Sequence, residues 1–244
     1  PAALRLFLEC QFIPAPHSVL RAVQKLPPGQ TLALRGTTLA LKPFWRLDYA
    51  RKLVLDEREA ADAVDRELRA SVEGMLVADV PLGAFVSGGI DSGLIAAIMT
   101  DLTGGPIDTF NIGFEGNVAV SEHREAARVA AHIGSRHHAL MLSPDHVLDA
   151  FDRWIDVFDE PFADQAALPT MLLAGFARRD VTVVLTGEGA DEVFGGYSNY
   201  RKRMREYARM GHLAVWYSRI SADDILSVIP PELRERARQV VAKA

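Results

Sequence analysis

The hydrophobic pattern changes twice along the chain. Through residues 1–50 the apolar residues come in short runs broken by turn formers: Pro14-Ala15-Pro16, Leu26-Pro27-Pro28-Gly29, then runs at 30–34 and 38–41 around Arg35-Gly36-Thr37. The last two runs predict a β-hairpin. Residues 17–25, entered from Pro16, predict a short helix. From Asp56 the pattern becomes amphipathic. Ala60, Ala63, Val64, Leu68, Val72, Met75 and Leu76 fall mostly three or four apart behind Asp56-Glu57-Arg58-Glu59, which predicts a helix over 56–77. Beyond residue 80, strands at 81–86, 107–113, 137–142 and 181–186 alternate with helices at 92–102, 121–133, 144–158, 167–179 and from about 190.

That alternation predicts an α/β fold, a mostly parallel sheet with helices on both faces. Ligands of such sheets bind at the carboxyl ends of the strands. The boundary is expected near residue 52, with 1–52 the closing part of a β-rich domain and 53–244 the α/β domain. A chain of 244 residues, 49% of them hydrophobic, is long enough for one sizeable core with a smaller unit attached. A net charge of -5 gives no case for a nucleic-acid partner. No apolar run approaches the roughly 18 residues of a membrane span and no signal-peptide pattern opens the chain, so a cytoplasmic location is expected. The first residue is Pro1, which points to a piece of a longer polypeptide. The single cysteine, Cys10, has no partner for a disulfide and is expected to be a small buried hydrophobe. The pair His137-His138 lacks the further ligands zinc needs, and is expected at a strand edge or beside a nucleotide.

The candidate chemistry centres on Val86-Ser87-Gly88-Gly89-Ile90-Asp91-Ser92, placed between the strand at 81–86 and the helix that follows. Such a turn presents unpaired backbone N–H groups at the positive end of a helix dipole, and two glycines let a phosphate approach the backbone. Ser87 and Ser92 add hydroxyls. Asp91 would repel a bare phosphate, which argues for a divalent cation between them. The motif therefore reads as a magnesium-pyrophosphate cradle, with a merely tight structural turn as the alternative. It has neither the Gly-Lys-Ser/Thr ending of a Walker loop nor a dinucleotide fingerprint.

A second motif, Thr186-Gly187-Glu188-Gly189-Ala190-Asp191-Glu192, ends the strand at 181–186 with three carboxylates in five residues. A helix dipole would offset part of their repulsion and a metal more. Asp191 joins Asp91 as a candidate magnesium ligand and Glu188 points at the reacting centre; simple helix capping is the alternative. Two further segments are weaker candidates. Thr109-Phe110-Asn111-Ile112-Gly113-Phe114 would line an adenine slot through Ile112 or serve only as a buried strand, and Asp159-Glu160-Pro161-Phe162-Ala163-Asp164 would be a solvated or a substrate-facing loop.

Ser87-Gly88-Gly89-Ile90-Asp91-Ser92 resembles the PP-loop of ATP pyrophosphatases. With the Phe110–Gly113 strand and the run from Thr186 through Gly195-Gly196-Tyr197, it is similar to the synthetase domain of the glutamine-hydrolysing asparagine synthetase family. Pro14-Ala15-Pro16, Lys25-Leu26-Pro27-Pro28-Gly29 and Phe44-Trp45 resemble the closing part of that family's glutaminase domain. The resemblance implies ATP and Mg2+ as cofactors and amide formation through an acyl-adenylate, with AMP and pyrophosphate released. It implies that Ser87, Gly88, Gly89, Asp91 and Ser92 hold pyrophosphate. Phe85, Val86, Ile112, Thr186 and Gly187 would meet the nucleoside and α-phosphate, Asp91 and Asp191 would share magnesium, and Glu188 would be the general base toward ammonia.

The implied partners are small molecules: ATP, aspartate or another carboxylate, and ammonia from glutamine, with a homodimer in the full-length form. Two departures stand against the family pattern. No N-terminal cysteine nucleophile is present, so glutamine hydrolysis by the chain as given is not expected. Residues 200–244, with Arg201-Lys202-Arg203 and Pro230-Pro231, would supply only the beginning of the helical stretch that completes the acceptor site. The segment from Phe162 to Pro169 looks more like divergent bacterial amidotransferases of the family than like housekeeping asparagine synthetases. The competing readings are an intramolecular amide former, a β-lactam synthetase or lasso-peptide cyclase, and a nucleotide-binding module without turnover. Glu188 counts against the β-lactam branch, where the resemblance implies a tyrosine.

Overall fold

The computed structural model describes residues 2–48, 52–116, 121–200, 202, 205 and 206. Most of the final segment discussed above, including Arg201, Arg203 and Pro230-Pro231, lies outside the described residues. Two compact units make up the chain, Pro1–Gly187 and Glu188–Ala244.

The first unit opens with a helix that the sequence pattern did not announce, α1 (Ala2–Cys10), none of whose residues is buried. Cys10, at its end, is an exposed free thiol and not the buried hydrophobe expected. The helix expected over 17–25 does not form. Ser18 Oγ is shared between the carbonyls of Leu20 (2.9 Å) and Val23 (2.8 Å), so local side-chain bonding takes the place of helical bonding. This looped segment is seated on the acidic loop near residue 160. Ala163 N–H donates to Gln11 O (2.9 Å), Val19 N–H to Glu160 Oε2 (3.3 Å), and Lys25 Nζ pairs with both Glu160 and the carbonyl of Ile13, whose side chain is buried. Glu160 is therefore a docking point for the N-terminal segment.

Strands β1 (Gln30–Arg35) and β2 (Thr38–Pro43) form the expected antiparallel hairpin, with Gly36 at φ +59 in its two-residue turn. The register pairs Leu32 with Leu41 and Leu34 with Leu39, which puts four leucines, each about half exposed or more, on one face.

Helix α2 (Glu57–Met75) starts at a capping box: Glu59 N–H donates to Asp56 Oδ1 (2.8 Å) and Asp56 N–H to Glu59 Oε2 (3.0 Å). Its stripe buries Val72 and packs Leu68 against the core, while Met75 is left exposed. Then come β3 (Leu82–Phe85), α3 (Ile90–Thr103), β4 (Asp108–Phe114), α4 (His123–Ile133), β5 (Arg136–Leu142), α5 (Pro144–Asp149), α6 (Phe151–Val157), α7 (Ala167–Ala177) and β6 (Val183–Leu185). The single helix expected over 144–158 is two, because Ala150 closes one and opens the next. The last strand is half the length expected.

The four strands form a parallel sheet in the order β5-β4-β3-β6. β4 lies inside the sheet, where Thr109, Phe110 and Asn111 are all buried. On one face Ala84 and Val86 meet Val72 of α2, Ala96 of α3 and Ala126 of α4. On the other face Phe110, fully buried, meets Leu173 and Ala177 of α7. Burying that ring alone contributes about 2–3 kcal/mol. Helices thus cover both faces, as the alternation predicted.

Candidate functional site

The order of the sheet locates the site. From β3 the chain steps outward to β4 and β5, and then returns to place β6 on the other side of β3. The crevice at the carboxyl ends of β3 and β6 is the switch point at which open α/β sheets take ligands. Both sequence motifs leave the sheet there.

The first leaves β3 through Val86, which is buried and held by β4. Its N–H donates to Phe110 O (2.9 Å) and its carbonyl accepts from Asn111 Nδ2 (2.8 Å). The turn then folds on itself. Ser87 N–H donates to Ser92 Oγ (3.0 Å), the two hydroxyls lie 2.9 Å apart, and Gly89 N–H donates to Ser87 Oγ (3.1 Å). Gly89 is the N-cap of α3 and supplies no side-chain cap, so the first amides of the helix face whatever occupies the crevice. Asp91 stands exposed in that first turn. An exposed carboxylate is the hard oxygen donor magnesium prefers, and magnesium needs only one or two of them beside phosphate oxygens. The donor chemistry of this residue therefore fits the metal. Among the described residues no group of three or more His, Cys, Asp or Glu could hold a metal by itself.

The second motif reaches the first through backbone. A Cβ on Gly187 would lie 2.6 Å from Ser92 N and 2.9 Å from Asp91 C, so only glycine lets the β6 exit run this close to the turn. Phe85 and Ile112, half-buried, pack beside Phe110 on the α7 face. Phe85, Val86, Ser87, Gly88, Gly89, Ile112, Thr186 and Gly187 belong to the strands of this sheet or to the turns at their carboxyl ends, and Asp91 and Ser92 to the first turn of α3.

The remaining predicted residues lie in the second unit. Gly189, at φ +90, is the N-cap of α8 (Ala190–Phe194); Glu188 before it is exposed, and Asp191 in its first turn is half-buried. Gly196 N–H donates to Asp191 O (3.0 Å), and a Cβ on Gly196 would overlap the Asp191 carboxylate, so this glycine leaves room for the acid. Tyr197 donates its hydroxyl to Glu192 Oε1 (2.8 Å). That hydrogen bond to a carboxylate, with burial second, pushes the phenol up to about 12.

Three residues near the turn carry geometry that the motifs did not single out. Asn111 uses its Nδ2 to hold the Val86 carbonyl, while its buried Oδ1 has no partner among the described residues. Glu122 accepts from Gly88 N–H (3.4 Å), and Glu125 packs so closely that its Cβ would lie 2.4 Å from a Cβ on Gly88. The available signal for the two acids was their position at the start of a helix that follows a strand of the sheet.

The histidine pair sits at the start of β5, an edge strand of the described sheet, at the amino end of the sheet and away from the turn. His138 Nε2 lies 2.9 Å from Asp108 Oδ1 and its ring stacks on Phe110; His137 Nδ1 lies 3.1 Å from Thr109 Oγ1. The guanidinium of Arg136 also engages Asp108. An open cavity of about 340 Å³ lined by Leu76, Leu82, Met99, Ile107 and Arg136 lies at this same amino end.

The chain is similar in sequence to known proteins. The family model described as Asparagine synthase matches residues 63–242. Asparagine synthetase [glutamine-hydrolyzing] 1 of Bacillus subtilis is 33% identical over 201 residues, 82% of this chain and 31% of its own length. A Mycobacterium bovis relative is 38% identical over 205 residues, 82% of this chain and 31% of its own. The chain thus spans about a third of the length of these relatives. Among solved structures, an NH3-dependent NAD synthetase from Campylobacter jejuni aligns over 78% of this chain and 95% of its own, at 14% identity and a TM-score of 0.38. No helix among the described residues is long and apolar enough to cross a membrane. On the extent of the family match and the identity to its relatives, the chain belongs to the asparagine synthase family.

Proposed function

We propose that this chain carries the nucleotide-activating site of an ATP-dependent amide-forming enzyme. The observation that supports this most is the meeting of the two motifs at the switch point of the sheet, where the Gly187 backbone lies against Ser92 and Asp91. The α3 amides, Ser87 and Ser92 bind the β- and γ-phosphates of ATP. Phe85, Ile112 and the backbone at Val86, Thr186 and Gly187 hold the nucleoside and α-phosphate. Asp91 and Asp191 are the carboxylates assigned to Mg2+, which when bound neutralises charge on the leaving pyrophosphate.

A carboxylate oxygen of the acceptor attacks the α-phosphorus, a new O–P bond forms, and the α–β bridging bond breaks to release pyrophosphate. Ammonia then attacks the carbonyl carbon. Glu188 accepts the proton that nitrogen must lose and offsets the positive charge developing there, and the C–O bond breaks to release AMP. Aspartate is the acceptor assigned, with ammonia, derived from glutamine, as the nitrogen donor.

The test is pyrophosphate release from ATP and magnesium with ammonia and aspartate present or absent. Aspartate-dependent release that falls at least about 100-fold in D91A is expected, while E188A should still release pyrophosphate in a first turnover and lose about 100-fold in ammonia-dependent AMP formation. Release without aspartate dependence reassigns the acceptor. If ATP binds but no pyrophosphate forms under any condition, the chain is a nucleotide-binding module, and the catalytic reading is lost.

A further inference from the structure

The three amides at the heart of the turn are not used alike. Ser87 N–H and Gly89 N–H are satisfied inside the turn by the Ser92 and Ser87 hydroxyls, whereas Gly88 N–H points outward and donates to the carboxylate of Glu122. A carboxylate oxygen is the closest protein equivalent of a phosphate oxygen, an anionic acceptor of similar reach. Glu122 is also the N-cap of α4, yet its side chain makes no capping bond to its own helix. A serine, threonine or aspartate at that position would normally bond its own helix.

The backbone that carries it is fixed. Ser121 Oγ accepts from Phe114 N–H (3.0 Å) and lies 2.8 Å from His123 Nδ1, which ties the start of α4 to the end of β4. Glu125, one turn on, is packed against Gly88. The Glu122 side chain itself is exposed, and a 3.4 Å contact is at the weak end of hydrogen bonding, so it exchanges readily.

We propose that Glu122 is an internal anion that occupies the Gly88 amide when the loop is empty and gives it up to a phosphate oxygen, so that it weakens pyrophosphate binding and favours its release. This rests on the reading of the loop as a pyrophosphate site. A carboxylate left beside bound pyrophosphate repels it, and in a solvated crevice one such charge at about 4–6 Å corresponds to roughly fivefold in affinity.

Calorimetric titration of the chain with pyrophosphate and magnesium, on wild type, E122Q and E122A, decides the matter, with thermal melts to establish that each variant is folded. Both variants are expected to bind pyrophosphate about fivefold more tightly than wild type. Binding seen only in the variants supports the proposal as well. Variants that bind as wild type does, or more weakly, overturn it while leaving the loop assignment standing; weaker binding that more magnesium restores would make Glu122 a metal ligand instead. Should neither wild type nor variants bind pyrophosphate, the loop assignment falls and this inference with it.

Discussion

Replacing Gly187 with alanine tests the claim that the two motifs share a wall. The added Cβ would sit 2.6 Å from Ser92 N, 2.9 Å from Asp91 C and 3.0 Å from Ser92 Cα. All three are backbone atoms, so no rotamer change relieves the contact. The nearest is about 0.8 Å inside ordinary van der Waals distance, and either the β6 exit or the start of α3 must move by that much. Overpacking of this kind costs about 1–3 kcal/mol. In a site that depends on placement, a shift near 1 Å lowers turnover by roughly 100-fold. Urea unfolding gives the first quantity, and pyrophosphate release or binding gives the second. G187A with an unchanged unfolding midpoint and unchanged pyrophosphate affinity would mean that the two motifs are not in contact, and the site built on that contact would have to be abandoned.

Gly175, inside α7, offers the opposite case: its Cβ position is open, so G175A should stabilise the fold by about 0.5–1 kcal/mol in the same urea assay. Asn111→Ala removes the donor that holds the buried Val86 carbonyl, and a loss of about 1–3 kcal/mol is expected by denaturant titration, with weaker pyrophosphate binding as β3 loses its tether. Acid should weaken the fold in two steps. Burial, with His138 nearby, lowers the proton affinity of His137, and the hydrogen bond from Arg136 lowers that of Asp108. Each group therefore binds protons better in the unfolded chain, so its contribution is present above the ordinary pKa and lost below it. The first loss begins below 6.5 and the second below 3.8. H137Q should flatten the upper step in a pH series of urea melts and D108N the lower.

The α/β alternation was legible because its elements carry strong periodic or β-branched signals, and the α2 capping box shows directly in Asp56 and Glu59. Strand order was not legible. Nothing in residues 181–186 says that this strand returns to the far side of β3, and that return defines the crevice. Helix α1 escaped notice because its apolar residues are not buried among the described residues, so no core dictates its pattern. The 17–25 segment misled in the other direction, since its spacing allows a helix but the Ser18 hydroxyl and the seat on Glu160 favour turns. Within the site, the glycine-rich turn and the acid-rich strand exit were visible as composition. Glu122 and Glu125 were not, because they act on Gly88 from about 34 and 37 residues away, and only packing of α4 against the turn brings them there.

The crevice has walls of unequal stiffness. β3 is hydrogen-bonded on both sides, so the turn that leaves it is rooted in the middle of the sheet. β6 is a three-residue strand at the edge of the described sheet, held to β3 by three register pairs, and the segment at Thr186 and Gly187 inherits that looser footing. In amide hydrogen exchange, the Val183–Leu185 amides should open at lower free energy than those of Ala84 and Phe85. A ligand bridging the two walls would therefore order mainly the β6 side, and slowed exchange at Val183–Leu185 on adding nucleotide would report occupancy of the crevice even where no product is formed.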